Sequence, residues 1–142
     1  MTVCTPSKSG MRLLVAEDNP VNSALVGAML DMLEYLDVAY ASTGLEAVDV
    51  FKEQQCDLIL MDCHMPEMDG YEATRTIRTL EAASASNHGH KPAIIIAMTG
   101  DALHDNEELC RESGMDDFLP KPFTVDSLKM ILQRWLTIQS LS

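Results

Sequence analysis

Apolar residues in this chain fall into short unbroken runs, separated by stretches in which they recur every three or four positions. The runs are Leu13-Leu14-Val15-Ala16, Val38-Ala39-Tyr40, Leu58-Ile59-Leu60-Met61, Ile94-Ile95-Ile96-Ala97-Met98 and Phe118-Leu119. Such runs, bounded by turn formers, read as strands buried on both faces. The spacing predicts strands over Met11 to Glu17, Asp37 to Ala41, Asp57 to Met61, Pro92 to Met98 and Asp117 to Leu119. Between them, Val21, Leu25, Ala28, Met29, Met32 and Leu33 predict a helix from Pro20 to Tyr35, with Asn19 as its cap and Pro20 in its first turn. Leu45, Val48 and Phe51 share a face of a second helix, opened by Ser42-Thr43-Gly44. A third helix is expected from Asp69 to Leu80, and a fourth within Ala102 to Ser113, ended by Gly114. Val125, Leu128, Ile131, Leu132, Trp135 and Leu136 line a fifth. Glu81 to Lys91 has no period and reads as a mobile loop, and His64 to Gly70 reads as a loop from its Pro and Gly content.

The strict alternation of strand and helix predicts an α/β fold, a doubly wound (βα)5 parallel sheet with helices on both faces and right-handed crossovers. The flavodoxin-like strand order 2-1-3-4-5 sets the first strand beside the third. No internal repeat or second domain is visible. Residues 1–10 are expected to be a flexible lead-in, 11–138 the folded domain and 139–142 a short tail.

Bulk properties narrow the function. The 142 residues are 46% hydrophobic, enough for one real core. No segment has the length and apolarity of a membrane span, and Met1 to Gly10 lacks the apolar stretch of a signal peptide. A net charge of -12 argues against nucleic-acid binding. Cys4, Cys56, Cys63 and Cys110 form no CxxC pair, so a reducing, cytoplasmic setting is expected. Cys63 follows Asp62 and reads as a small packing residue rather than a redox centre.

The chemistry lies in what ends four of the five runs; the second, Val38-Ala39-Tyr40, carries no such group. Glu17-Asp18 follow the first, Asp62 the third, Thr99 the fourth, and Lys121-Pro122 the fifth. Ligands of parallel sheets sit beyond the carboxyl ends of the strands. Carboxylates gathered at one edge about 4 Å apart repel by about 4 kcal/mol per pair at an effective dielectric near 20. A hard divalent cation offsets that repulsion, and Mg²⁺ is the usual choice where phosphoryl oxygens complete the shell. An aspartate, a hard cation, a lysine and a hydroxyl together form a phosphoryl-transfer site.

These segments make the chain recognisable. Leu14 to Asn19, Met61 to Gly70, Ala97-Met98-Thr99 and Leu119 to Phe123 occur in order at strand ends. The chain resembles the receiver domain of two-component response regulators from Met11 to about Ile138. His64 to Ala73, Arg75, Arg78 and the ending Gln133-Arg134-Trp135-Leu136 look most like receivers of hybrid histidine kinases. The resemblance implies that Asp62 accepts a phosphoryl group from a phosphohistidine. Asp18 would ligate Mg²⁺, with Glu17 direct or through water and His64 supplying its backbone carbonyl. Lys121 would pair with Asp62 and then with a phosphoryl oxygen. Thr99 would bond another oxygen, and Thr99 with Phe118 would form the switch. Phe118 lacks the hydroxyl of the commoner tyrosine, and Gly100 replaces the usual alanine after Thr99. The implied partner is a histidine phosphotransfer domain or kinase helix bundle, docking on Asn19, Val21, Asn22, Leu25, Pro66, Pro122 and Phe123, with Met65 and Met68 nearby. The domain is expected to be a monomer, catalysing its own phosphorylation and slow dephosphorylation.

Two other functions compete with that one. A pseudo-receiver would bind partners without phosphorylation. An aspartyl-phosphate phosphohydrolase generally needs a second acid where this chain has His64. Simpler readings also stand beside the sharp ones. An aspartate at a strand end ordinarily caps a helix or forms a turn, which covers Asp69 and Asp101. Thr99 could be an N-cap, and Lys121 a surface lysine unless a cis Pro122 turns it inward. Asp116-Asp117 read as a solvated turn, and His88, His90 and His104 as solvated histidines.

Overall fold

The computed structural model describes residues 11–88, 92–100 and 107–141. Five strands alternate with five helices: β1 Arg12–Ala16, α1 Pro20–Met32, β2 Asp37–Ala41, α2 Gly44–Glu53, β3 Leu58–Asp62, α3 Gly70–His88, β4 Ile94–Thr99, α4 Glu107–Ser113, β5 Asp117–Pro120 and α5 Val125–Leu141. All pairings are parallel, in the order β2-β1-β3-β4-β5. The expected sheet is therefore the observed one. The fully buried β3 and β4 contain no charged residue before Asp62, as strands covered on both faces require.

Alternation along β1 sorts the core into two layers. Leu13 and Val15 pack with Val26, Met29 and Leu30 of α1 and Leu128, Leu132 and Leu136 of α5. Leu14 and Ala16 face the opposite layer, with Val48 and Phe51 of α2, Tyr71 and Ile77 of α3 and Cys110 of α4. Each large side chain fully buried here contributes about 1.5–3 kcal/mol. Cys56, Cys63 and Cys110 are buried thiols of this second layer, so Cys63 is packing material.

The structure corrects several details. α1 stops at Met32, because Glu34 turns left-handed with φ 71° and Tyr35 closes back on Leu30. Only part of the apolar series in α1 faces the core: Val21 is 73% exposed, Leu25 54% and Met32 69%. Leu45 likewise faces solvent rather than the core.

α3 continues through 81–88, where a loop was expected. Ala82, Ala83 and Ala85 give little periodic signal but have the best helix propensity. The Arg78–Glu81 pair at 2.7 Å and the Ala93 amide donating to Glu81 Oε2 at 2.7 Å anchor that extension. α5 likewise runs through Leu141. The expected lead-in 1–10, the start of the fourth helix with Asp101 and His104, and Gly89-His90 lie outside the described residues. Among the described residues no helix is long and apolar enough to cross a membrane.

Candidate functional site

Placement of the site follows from register. β1 and β3 are neighbours, with Ala16 opposite Met61, so Glu17 and Asp62 emerge side by side. Asp62 is opposite Met98 on β4, which puts Thr99 one residue beyond. Thr99 is in turn opposite Pro120 on β5, and the Lys121 amide donates to the Thr99 carbonyl at 2.6 Å. Lys121-Pro122 is cis. Glu17, Asp18, Asp62, Thr99 and Lys121 thus meet at the carboxyl edge, as expected from the strand ends.

The charges there interlock. Lys121 Nζ donates to Glu17 Oε1 at 2.7 Å and lies 3.4 Å from Asp62 Oδ2. The lysine was expected on Asp62, yet its tighter partner is Glu17. Asn19 N–H donates to Glu17 Oε2 at 3.1 Å, and Asn19 Oδ1 accepts from the amides of Val21 and Asn22. The same asparagine caps α1 and holds the acid in place. Asp62 Oδ1 accepts from the His64 amide at 3.3 Å.

Burial pushes the Asp62 carboxyl up to about 6; Lys121 opposes the rise, and the Glu17 charge adds to it. Burial also pushes Glu17 upward, but hydrogen bonds from Lys121 and Asn19 outweigh it and hold that carboxyl below its ordinary range. Burial alone would lower Lys121; its bond to Glu17 and the charge of Asp62 raise it instead. Lys121 is therefore cationic between two acids, one firmly ionised and one poised near neutrality.

Glu17, Asp18 and Asp62 each offer a carboxylate oxygen, all within 4.8 Å of one another. A six-coordinate hard ion at about 2.1 Å sets its ligand oxygens roughly 3–4.2 Å apart. The trio is thus close to coordinating spacing, its donors are all oxygen, and the residues fit a magnesium-sized ion. Asp18 is exposed while Glu17 and Asp62 are buried, so one side of the group opens to solvent. A cleft of about 410 Å³ borders it, lined in part by Pro20, Ser23, Tyr40 and Glu46.

The remaining expected residues are spread around this edge. His64 is exposed, with its ring edge-on to Tyr71 at 6.3 Å. Phe118 is half-buried on β5 against the second core layer, beside a cavity of about 20 Å³ under α4. Asn19, Val21 and Leu25 are exposed on the first half of α1, with Asn22 half-exposed. Pro66 and Pro122 are exposed, and Phe123 packs partly on the first layer. Met65 is buried and Met68 half-buried on the core, so neither is a free docking side chain. Asp69 caps α3, accepting from the Glu72 amide at 2.9 Å.

Sequence reasoning missed the residues that brace the opposite end of the sheet, where β4 and β5 begin. Asp116 is exposed yet engaged: its Oδ2 accepts from the Ile95 amide at 2.9 Å and from Arg78 at 2.8 Å. Asp117 Oδ2 accepts from Trp135 Nε1 at 2.8 Å and Arg134 at 3.1 Å, tying β5 to α5. Ion pairs between such distant positions leave no periodic trace in sequence.

Residues 13–133 match the family described as response regulator receiver domain. The receiver domain of the sensor histidine kinase PA1611 from Pseudomonas aeruginosa PAO1, solved with magnesium coordinated in its active-site cleft, is 43% identical; the alignment covers 90% of this chain and 98% of that one, with a TM-score of 0.77. The receiver domain of Saccharomyces cerevisiae Ssk1, solved together with the histidine phosphotransfer protein Ypd1, is 30% identical over 91% of this chain and 90% of that one, with a TM-score of 0.82. Hybrid signal transduction histidine kinase B of Dictyostelium discoideum is 40% identical over 88% of this chain, and probable histidine kinase 1 of Oryza sativa subsp. indica is 33% identical over 96%. This chain spans only 7% and 16% of those two proteins. The chain belongs to the response regulator receiver domain family. It is a receiver domain of two-component phosphorelay systems, of the kind found in hybrid histidine kinases.

Proposed function

We propose that Asp62 accepts a phosphoryl group from a phosphohistidine on a histidine phosphotransfer domain or kinase helix bundle. The observation that carries this reading is the convergence of Glu17, Asp18 and Lys121 on a buried Asp62. An Asp62 carboxylate oxygen forms the new bond to phosphorus while the bond from phosphorus to the donor imidazole nitrogen breaks. The electron pair leaves with that nitrogen, and an acyl phosphate remains on Asp62. Mg²⁺, held by Glu17, Asp18, Asp62 and the His64 backbone carbonyl, supplies positive charge against the phosphoryl oxygens.

Lys121 supplies the second fixed positive charge, shifting from Glu17 toward a phosphoryl oxygen. The Thr99 hydroxyl donates to another oxygen, and Phe118 follows it, altering the face formed by α4, β5 and α5. Gly100 loosens this loop, and the acyl phosphate hydrolyses slowly. The receiver unit is assigned to residues 11–138, its last helix continuing to Leu141, and acts as a monomer in the cytoplasm. Its partner docks over Asn19, Val21, Asn22 and Leu25, flanked by Pro66, Pro122 and Phe123. The apolar exposure of Val21 and Leu25 supports that surface, as does the phosphotransfer complex of the yeast relative.

The test is intact-mass spectrometry after incubation with a small phosphodonor, such as acetyl phosphate, and Mg²⁺. The wild type gains one phosphoryl group, and Asp62→Asn and EDTA-treated samples gain none. Uptake persisting in Asp62→Asn would refute the assignment.

A further inference from the structure

The loop after β3 is held at two points. At its base, the Gly70 amide donates to the Cys63 carbonyl at 3.0 Å, and a Cβ on Gly70 would lie 2.1 Å from the Asp62 carbonyl oxygen. The second hold comes from outside the loop. The Gly44 amide at the start of α2 donates to the Met68 carbonyl at 3.0 Å. A Cβ on Gly44 would lie 2.2 Å from that oxygen and 2.8 Å from its carbon, both main-chain atoms that cannot swing aside. Gly44 is buried, and it is the first residue of α2, where an amide has no partner within the helix. Another orphan amide of the same turn, that of Glu46, is already taken by Thr43 Oγ1 at 3.0 Å. Met68 can present its carbonyl there because the chain reverses just before it: Glu67 has φ 70°, and the Met68 amide donates to Pro66 at 2.7 Å.

The geometry points to Gly44 as a positioning residue for the acceptor carboxylate and its cation, acting through the Met68 carbonyl on the loop that carries His64. This rests on the functional reading above. The mechanical route is short. Gly44 fixes Met68, the loop is closed at Cys63 and Gly70, and within it the His64 amide holds Asp62 Oδ1. A methyl group at position 44 drives the loop away from α2. It thereby disturbs the His64 main chain, whose amide orients the acceptor and whose carbonyl is assigned to the cation. Only glycine permits this approach of backbone to backbone.

The experiment titrates MgCl₂ alone into wild type and Gly44→Ala and follows backbone amide resonances, with thermal unfolding in EDTA run in parallel. Leu45→Ala is the control, since it truncates the neighbouring residue of α2, whose side chain faces solvent. The expected result is Mg²⁺ affinity weakened about tenfold in Gly44→Ala, with shifted His64 and Met68 amides, and unchanged affinity in Leu45→Ala. Affinity within twofold of wild type in Gly44→Ala overturns the positioning role, whatever its unfolding temperature. Should that variant not fold, hydrogen exchange in the wild type decides. Saturating Mg²⁺ is expected to slow exchange of the Gly44 amide about fivefold or more, and unchanged exchange there overturns the role. A wild type whose Asp18 and Asp62 amides ignore Mg²⁺ overturns the functional reading itself, and the inference with it.

Discussion

Lys121 Nζ sits 2.7 Å from Glu17 Oε1, closer than its 3.4 Å separation from Asp62 Oδ2. The lysine is thus held most tightly by an acid outside β3, leaving the Asp62 carboxylate less fully compensated. Burial raises both acids, but the bonds from Lys121 and the Asn19 amide outweigh it at Glu17, which is held below its ordinary range, while Asp62 stays raised to about 6.

The raised Asp62 gives a stability prediction with a definite sign. Folding favours its protonated form, so its ionisation costs stability fully above about pH 6, and the cost fades as pH falls toward the ordinary 3.8. Asp62→Asn is therefore expected to raise the stability of the metal-free protein by about 1–2 kcal/mol at pH 7.5. The gain should shrink steadily between pH 6 and pH 4 in urea denaturation. A gain independent of pH would show that charge is not its origin.

Removing the cation should act in the opposite direction. Lys121→Ala leaves two buried acids facing one another, so a loss of about 2 kcal/mol is expected at pH 7.5, discounted for the 23% exposure of the lysine side chain. Millimolar Mg²⁺ should restore part of it, because the ion replaces the missing positive charge. Denaturation with and without the metal measures both effects.

Arg78 should matter for stability without touching the chemistry. Its guanidinium donates to Glu81, Asp116 and the carbonyls of Gly114 and Ala93, joining α3, β4 and the turn before β5. Arg78→Ala is expected to cost about 2–3 kcal/mol, since it strands those acceptors together. Magnesium affinity, followed by titration, should remain within twofold of wild type.

Charge on the outer face of α1 should separate binding from folding. Leu25→Glu is expected to change stability by less than about 0.5 kcal/mol, because Leu25 is more than half exposed. Transfer from a phosphorylated histidine phosphotransfer domain should slow about tenfold or more, while uptake from acetyl phosphate stays unchanged. Equal slowing with both donors would move Leu25 from the docking surface to the reaction site.

Legibility in the sequence followed the kind of force involved. Strands such as Ile94–Thr99 were plain because burial on both faces demands unbroken apolar runs. The polar residue ending each run marked the edge where Asp62, Thr99 and Lys121 meet. α3 beyond Leu80 was missed because alanine stabilises helix without adding to periodicity. In α1 the period signalled a helix but not its buried side, since Val21, Leu25 and Met32 form an apolar line that turns outward.

The sequence by itself determined the order of elements, the parallel sheet and the set of groups at its edge, because burial and chain connectivity act through patterns local to each segment. Only the tertiary structure decided that Lys121 leans on Glu17, that Asp116 and Asp117 are hydrogen-bonded acceptors tying neighbouring elements together, and that Gly44 meets Met68. Those relationships depend on distances of a few ångströms between residues far apart in the chain. Electrostatic and steric energies vary steeply over such distances, and no spacing along the sequence encodes them.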